Sequence, residues 1–173
     1  MNIRIINYES EKKYVFFIFL GVLIGVFLKL FIFDISLVSG TSMEPTIKDK
    51  DKVFINKLAY GIVTPLGNNL LYSWKEPQKG DIVLYIYDNK PVIKRVVATE
   101  FEKLEYSVDN GYSMIVDDVT IPLSEGQYQR IKYDKFVPEN TVLCVGDNYL
   151  ESVDSRNYGF VMVNSILGKI LWK

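Results

Sequence analysis

Histidine is absent from the 173 residues of this chain, and with it goes the usual proton acceptor of serine and cysteine hydrolases. Cysteine is almost absent as well. Cys144 stands alone, which excludes an internal disulfide framework, and its setting in TVLCV reads as a small buried apolar side chain. No histidine and one cysteine leave a structural zinc site short of ligands. The carboxylates do not fill that gap, since DNYLESVD lacks the glycine and spacing of an EF-hand loop. An excess of either charge is also missing: 20 basic against 21 acidic residues give a net charge of −1, so a basic nucleic-acid surface is not indicated. No internal repeat, no low-complexity tract and no sizeable helical pattern follow Phe33.

What the chain does have begins with one long apolar run. From Tyr14 to Phe33 it reads YVFFIFLGVLIGVFLKLFIF, twenty residues with Lys29 as the only charge. At about 1.5 Å per residue such a helix spans roughly 30 Å, the thickness of a bilayer core. Lys29 sits near the distal end, where its stem can reach headgroups. Arg4, Lys12 and Lys13 precede the run, and no Lys or Arg follows Lys29 until Lys48. The positive-inside rule then predicts residues 1–13 in the cytoplasm, a transmembrane helix over 14–33 and residues 34–173 outside the cell membrane. The run is long for a cleaved signal peptide, and Val38-Ser39-Gly40 is a poor cleavage motif. A buried core helix would need a periodic polar face that is not there.

Beyond the run the texture is β. DKVFINKL, DIVLYIY, PVIKRVVA, KLEYSV, YSMIVDDVTI, TVLCV and SILGKILWK are short, rich in Val, Ile and Tyr, and bounded by turn residues. Hairpin turns are predicted at Asp88-Asn89-Lys90 and at Asp109-Asn110-Gly111. Residues 99–140 are more charged and read as an excursion from the core. The aromatic stretch from Leu58 to Trp74 suits either a lipid surface or the core.

Two stretches carry chemistry. VSGTSMEPTI offers Ser42 on a glycine-containing bend, and a serine hydroxyl is a weak nucleophile until a neighbour removes its proton. Without histidine the practical base is a lysine held neutral, which requires desolvation. Of sixteen lysines, three lie in apolar surroundings: Lys57 in INKLA, Lys94 in VIKRVV and Lys169 in LGKIL. Lys94 has the heaviest β-branched flanks. Strand alternation does not decide whether Lys94 or Arg95 faces inward, but an arginine stays protonated and cannot be a base. GDNYLESVDSRNYG then packs Asp147, Asn148, Ser152, Asp154, Ser155 and Arg156 directly after an apolar strand, where polar groups usually satisfy one another or serve a site. As an isolated motif it reads as a surface loop with an Asp154–Arg156 ion pair.

Together these stretches resemble the bacterial type I signal peptidases. GTSMEPT is similar to that family's nucleophile box. DKVFINKLAYGIVTP is similar to its next segment, with Lys57, Tyr60, Gly61 and Pro65 in place. KGDIVLY matches its GDIV box at Gly80 to Val83, VIKRVVA its lysine box, and GDNYLESVDSRNYG its GDNxxxSxDSRxxG box at every fixed position. The resemblance covers residues 14–98 and 141–173. It implies an antiparallel, mainly β catalytic domain behind one amino-terminal transmembrane helix, and an endopeptidase that removes signal peptides at small-x-small sites without cofactor or metal. Ser42 would be the nucleophile and Lys94 the general base, with Ser152 hydrogen-bonding and orienting the lysine. Asp154 and Arg156 would brace the loop, and Asp147 would support it. The Ser42 N–H would donate to the oxyanion. Ser36, Val38, Ser39, Gly40 and Val96 would contact the substrate, Ser36 to Ser39 as a strand edge and Val38 and Val96 as shallow pockets. Its partners would be exported preproteins and the lipid bilayer, with no nucleic acid; oligomeric state is not legible.

Three departures stand out. A serine that some members carry two positions before the nucleophile is Gly40 here, so that hydroxyl is missing. The usual GLPGD-like continuation of the lysine box is TEFEKLEY, and an Arg common after GDN is Tyr149. The absent histidines exclude the archaeal and endoplasmic-reticulum type, which uses histidine in place of lysine. Two other readings share some features. One is a non-catalytic or dedicated signal-peptidase-like factor assisting assembly of surface proteins; the intact Ser42, Lys94 and Ser152 oppose it. The other is a soluble self-cleaving repressor, opposed by the apolar run and the GDN…DSR loop.

Overall fold

The computed structural model describes residues 8–64, 67, 69–109 and 111–172. Arg4, Pro65 and Asn110, on which the expectations above drew, lie outside the described residues. The apolar run forms helix α1 (Tyr8–Phe31), and none of its span from Glu11 to Phe31 is buried against the rest of the chain. A helix apolar on all sides and exposed on all sides has no core to enter within its own chain. The helix ends two residues earlier than the apolar run. Ile32 N–H still donates to the Leu28 carbonyl at 2.9 Å, but Phe33 opens strand β1 (Phe33–Leu37) and pairs with Asn56.

The main sheet is antiparallel throughout and has seven strands: β1, β2 (Lys52–Asn56), β5 (Ile82–Tyr87), β6 (Lys90–Ala98), β10 (Thr141–Val145), β11 (Val161–Met162) and β12 (Ile166–Trp172). Their order is β1-β2-β12-β5-β6-β10-β11. A separate two-stranded ribbon, β3 (Gly61–Val63) and β4 (Leu70–Ser73), rises from the stretch after β2. The excursion forms a three-stranded sheet from β7 (Glu105–Ser107), β8 (Ser113–Val116) and β9 (Val119–Pro122).

Turn chemistry explains the connections. Asp88 and Asn89 have φ of 49° and 58°, so they make the two-residue turn that matches strand twist, and Tyr87 faces Lys90 across it. The expected three-residue turn is therefore one residue shorter, with Lys90 already in β6. YSMIVDDVTI is not one strand. Asp117, at φ 49°, folds it into the β8–β9 hairpin with Val116 opposite Val119. Between β7 and β8 the chain makes a wider loop, with Ser107 opposite Ser113.

Two short helices escaped the sequence reading. Helix α2 (Glu125–Ile131) starts with a capping box in which Ser124 and Gln127 exchange bonds, a legible signal. Its seven residues bury only Ile131 and so leave no apolar stripe to read. Helix α3 (Ser155–Tyr158) is a single turn capped by Asp154.

Strand alternation distributes the core over both faces of the main sheet. Val83 and Tyr85 join Tyr60, Val96, Cys144 and Ile166 on one side, while Ile82, Leu84 and Ile93 pack on Val38, Met43, Ile47 and Val53 on the other. The third cluster, centred on Met114 and Ile121 of the excursion, includes Ala98 from β6 and Leu143 and Val145 from β10. The Leu58–Trp74 stretch divides: Tyr60 is core, whereas Leu71, Tyr72 and Trp74 are exposed. Ile166 is fully buried in the first of these clusters, with Val83 and Tyr85. Ile166→Ala should cost about 2–5 kcal/mol through a cavity that β12 cannot close, measured by denaturant unfolding of the full chain in detergent. A loss below about 0.5 kcal/mol would show that this cluster does not carry the fold.

Candidate active site

Ser42 sits just past the end of β1, in a tight turn where Glu44 N–H donates to the Thr41 carbonyl at 3.0 Å. Gly40 leads into it at φ +105°, a region where a side chain is strained. The backbone here suits glycine. Lys94 comes from the middle of β6, and its Nζ lies 2.6 Å from Ser42 Oγ. Fifty-two residues apart in sequence, the two are brought together by the curl of the sheet, whose β1 end faces the first half of β6 across a cleft of about 570 Å³.

The three lysines in apolar sequence settings have distinct environments. Lys57 is 23% exposed and pairs with Asp34 at 3.2 Å. Lys169 is 34% exposed and pairs with Asp81 at 2.5 Å. Lys94 is 3% exposed and has the Ser42 hydroxyl rather than a carboxylate as its hydrogen-bond partner. Burial pushes its pKa below the usual lysine value; nearby Asp154 and Arg156 act in opposite directions. Arg95, the neighbour that alternation left in competition, points the other way, and its Nε and Nη2 hold both oxygens of Asp147 at 2.8 and 2.7 Å. Burial alone would raise Asp147, but Arg95 and Thr46 hold its carboxyl below the ordinary range.

Beneath the pair, Gly146, Ser152 and Asp154 to Arg156 form the buried part of a loop that exposes Leu150, Glu151 and Val153. Asp154 and Arg156 are 0% and 1% exposed, so their contact is an interior pair and not the surface ion pair that the isolated motif suggested. Arg156 Nε and Nη2 donate to the two Asp154 oxygens at 2.9 and 2.8 Å. Arg156 also reaches the carbonyls of Pro122 and Ser152, and Asp154 accepts from Gly146 N–H at 3.0 Å. Asn148 fastens the loop to the nucleophile turn, its N–H donating to the Ser42 carbonyl at 3.0 Å and its Nδ2 to the Thr41 carbonyl at 3.3 Å. A Cβ at position 146 would collide with Ser152 Oγ and with the Ser42 carbonyl, so only glycine permits this approach.

Two expectations are corrected. Ser152 Oγ does not hydrogen-bond Lys94: it is buried close to the Ser42 carbonyl without a partner among the described residues, and the Lys94 amine bonds Ser42 instead. Val96 does not line the cleft. It is 0% exposed and packs in the cluster with Val83 and Cys144, beyond the point where β10 covers β6 by pairing Cys144 with Val96. Leu84 and Ile93 form the apolar wall instead. Ser36, Val38, Ser39 and Gly40 do line the cleft. The sequence reading missed the Asn148 clamp, the Arg95–Asp147 fork and a hydrogen bond from Thr41 Oγ1 to Glu151 at 2.5 Å. It also missed the buried Asp81, which accepts from Tyr60 Oη at 2.8 Å and from Lys169. Asp147, Asn148 and Glu151 lie in the polar loop and Asp81 in the GDIV box, but nothing in the sequence names their partners.

A serine hydroxyl touching a desolvated amine, with an unengaged Ser42 N–H among the described residues, has the parts for covalent acyl transfer. No group of three or more His, Cys, Asp or Glu side chains is placed to hold a metal among the described residues. The Asp154–Arg156 pair has a separate test. Asp154→Asn should destabilise the protein by about 3–5 kcal/mol, since it leaves the Arg156 charge buried and unpaired, read by unfolding in detergent. A change under about 1 kcal/mol would mean that the pair does not hold the loop.

The chain is similar to known proteins along most of its length. Residues 11–173 match the family model described as signal peptidase, peptidase S26. The chain is 33% identical over 241 residues to the signal peptidase I of Buchnera aphidicola subsp. Baizongia pistaciae, covering 95% of this chain and 78% of the relative. It is 29% identical over 166 residues to that of Bacillus caldolyticus, covering 88% and 85%. Against signal peptidase I S of Bacillus subtilis it is 29% identical over 153 residues, covering 81% and 75%. By the family model and these relatives, the chain belongs to the signal peptidase family, peptidase S26, as a type I signal peptidase.

Proposed function

We propose that this protein is a membrane-anchored serine–lysine endopeptidase that removes signal peptides from exported preproteins. The observation that carries the reading is the 2.6 Å contact between Ser42 Oγ and a lysine amine that is 3% exposed. Helix α1 is the anchor, with residues before it cytoplasmic and the β domain outside; its exposed apolar surface and its length fit a bilayer. The relatives' name, signal peptidase I, supplies the substrate class.

The preprotein enters the cleft extended, between β1 and the first half of β6. β1 is an edge strand, and β6 is unpaired by β10 before Arg95, so both offer backbone groups to an added strand. Ser36, Val38, Ser39 and Gly40 contact it, and the packed floor at Val38 leaves room only for small side chains. Neutral Lys94 takes the Ser42 proton as Oγ attacks the scissile carbonyl. The Ser42 N–H donates to the oxyanion. Lys94 then protonates the departing amine, giving the mature protein and an acyl-serine. Water, deprotonated by Lys94, releases the signal peptide and restores Ser42. Asp147, Asp154 and Arg156 keep the loop in place.

Full-length protein in detergent should cut a preprotein with an Ala-x-Ala site after the second alanine. Ser42→Ala and Lys94→Ala should each lose at least about 10³-fold in rate while remaining folded by circular dichroism. Lys94→Arg should fail too, because its charge is permanent. A Ser42→Ala protein that cuts as fast as wild type would end the proposal.

The pH profile follows from the lowered lysine pKa. Lys94 works only unprotonated, so kcat/KM should rise with pH at unit slope and level off below about 10.5, the ordinary lysine value. A rate that falls as pH climbs from 6 to 9 would remove Lys94 as the base.

A further inference from the structure

The two walls of the cleft run in the same direction. The chain from Ser36 to Ser42 and strand β6 from Lys90 to Lys94 both arrive at the Ser42–Lys94 contact. A substrate lying between them has its acyl side toward Ser36 and Lys90, where the free strand edges are, and its leaving side must pass out beyond Ser42. That end is walled by the loop after β10, clamped to the nucleophile turn by Asn148, and the loop contributes Glu151 and Val153 to the cleft lining. Glu151 is solvent-exposed yet fixed, because Thr41 Oγ1 donates to its Oε2 at 2.5 Å. Its other oxygen has no hydrogen bond and no Lys or Arg partner among the described residues. Of the two lysines that line the cleft, Lys94 is committed to Ser42 inside the protein, and Lys90 stands at the start of β6, away from that contact.

Building on the serine–lysine reading, we propose that Glu151 is a specificity-determining residue, a fixed carboxylate at the exit of the cleft that favours preproteins with Lys or Arg as the first mature residue and disfavours Asp or Glu there. The carboxylate does not take part in bond making. It acts on the side chain that follows the scissile bond, by attraction or repulsion across a partly solvated gap. Thr41 matters because a carboxylate anchored by one oxygen loses less entropy on meeting a cation than a free one.

The test uses the full-length enzyme in detergent and one Ala-x-Ala preprotein made with Lys, Gln or Glu at the first mature position. Wild type should cut the Lys form about fivefold faster than the Glu form in kcat/KM, the size expected of a solvated charge pair. Raising the salt to about 1 M should shrink that ratio. Glu151→Gln should bring it to about one, and Glu151→Lys should invert it. Thr41→Val, which releases the carboxylate, should lower the ratio without abolishing it. Equal cutting of all three preproteins by wild type, or an unchanged ratio in Glu151→Gln, overturns the proposal. If none of the three is cut, the serine–lysine reading falls and this proposal falls with it.

Discussion

An amine buried without a counter-ion is the condition on which the rest of this site depends. Each pKa unit that a lysine loses represents about 1.4 kcal/mol of lost preference for the charged form, and a nearby free carboxylate would restore that preference. Two carboxylates, Asp147 and Asp154, do act on Lys94 and raise its pKa. Each is already taken by an arginine: Asp154 by Arg156 in the interior and Asp147 by Arg95 at the edge. The pairs therefore do more than brace a loop. They let acidic residues build the wall around the lysine without supplying the negative charge that would hold its proton. Burial then stays the largest influence on Lys94.

The same condition fixes the direction of side chains along β6. Lys94 and Val96 share the inward face and Arg95 the other, so the register of β5 against β6, set by the Asp88-Asn89 turn, decides which cation is desolvated. A slip of one residue would bury a permanent charge and expose the base. Gly146 matters for a related reason: the loop must approach Ser42 closely enough for Asn148 to hold the nucleophile turn, and a side chain at 146 would block that approach.

Much of this was legible in the sequence, for reasons that differ by residue. The anchor helix and the strands announce themselves because each is longer than the noise in its own period. Lys94 was favoured over Lys57 and Lys169 by its β-branched flanks, and the structure separates them by giving the latter two carboxylate partners. What could not be read were contacts between distant segments. Nothing in KGDIVLY says that Asp81 will bond Tyr60 and Lys169, and nothing in VIKRVVA says that β10 will cover Val96 but stop before Lys94. Ser152 shows the limit from the other side. The motif suggests its role, but tertiary geometry decides which hydroxyls meet the lysine, and in this structure Ser42 does and Ser152 does not.

The position of the helix follows the same logic at larger scale. Lys57 stitches the helix end to the sheet through its N–H on the Ile32 carbonyl, its Nζ on the Lys29 carbonyl and its ion pair with Asp34. Only the ten residues from Ile32 to Thr41 separate the end of α1 from Ser42, a reach of at most about 40 Å even if fully extended. On the proposed reading, α1 as the anchor would confine the cleft to the membrane surface, and β1 would be at once the tether and the edge on which a substrate strand is laid. A preprotein held by its own apolar segment in the same bilayer would then meet the dyad at a set distance from that segment. Side-chain recognition can accordingly be undemanding, with the choice among small residues left to a shallow cleft and the choice of cut site made largely by reach.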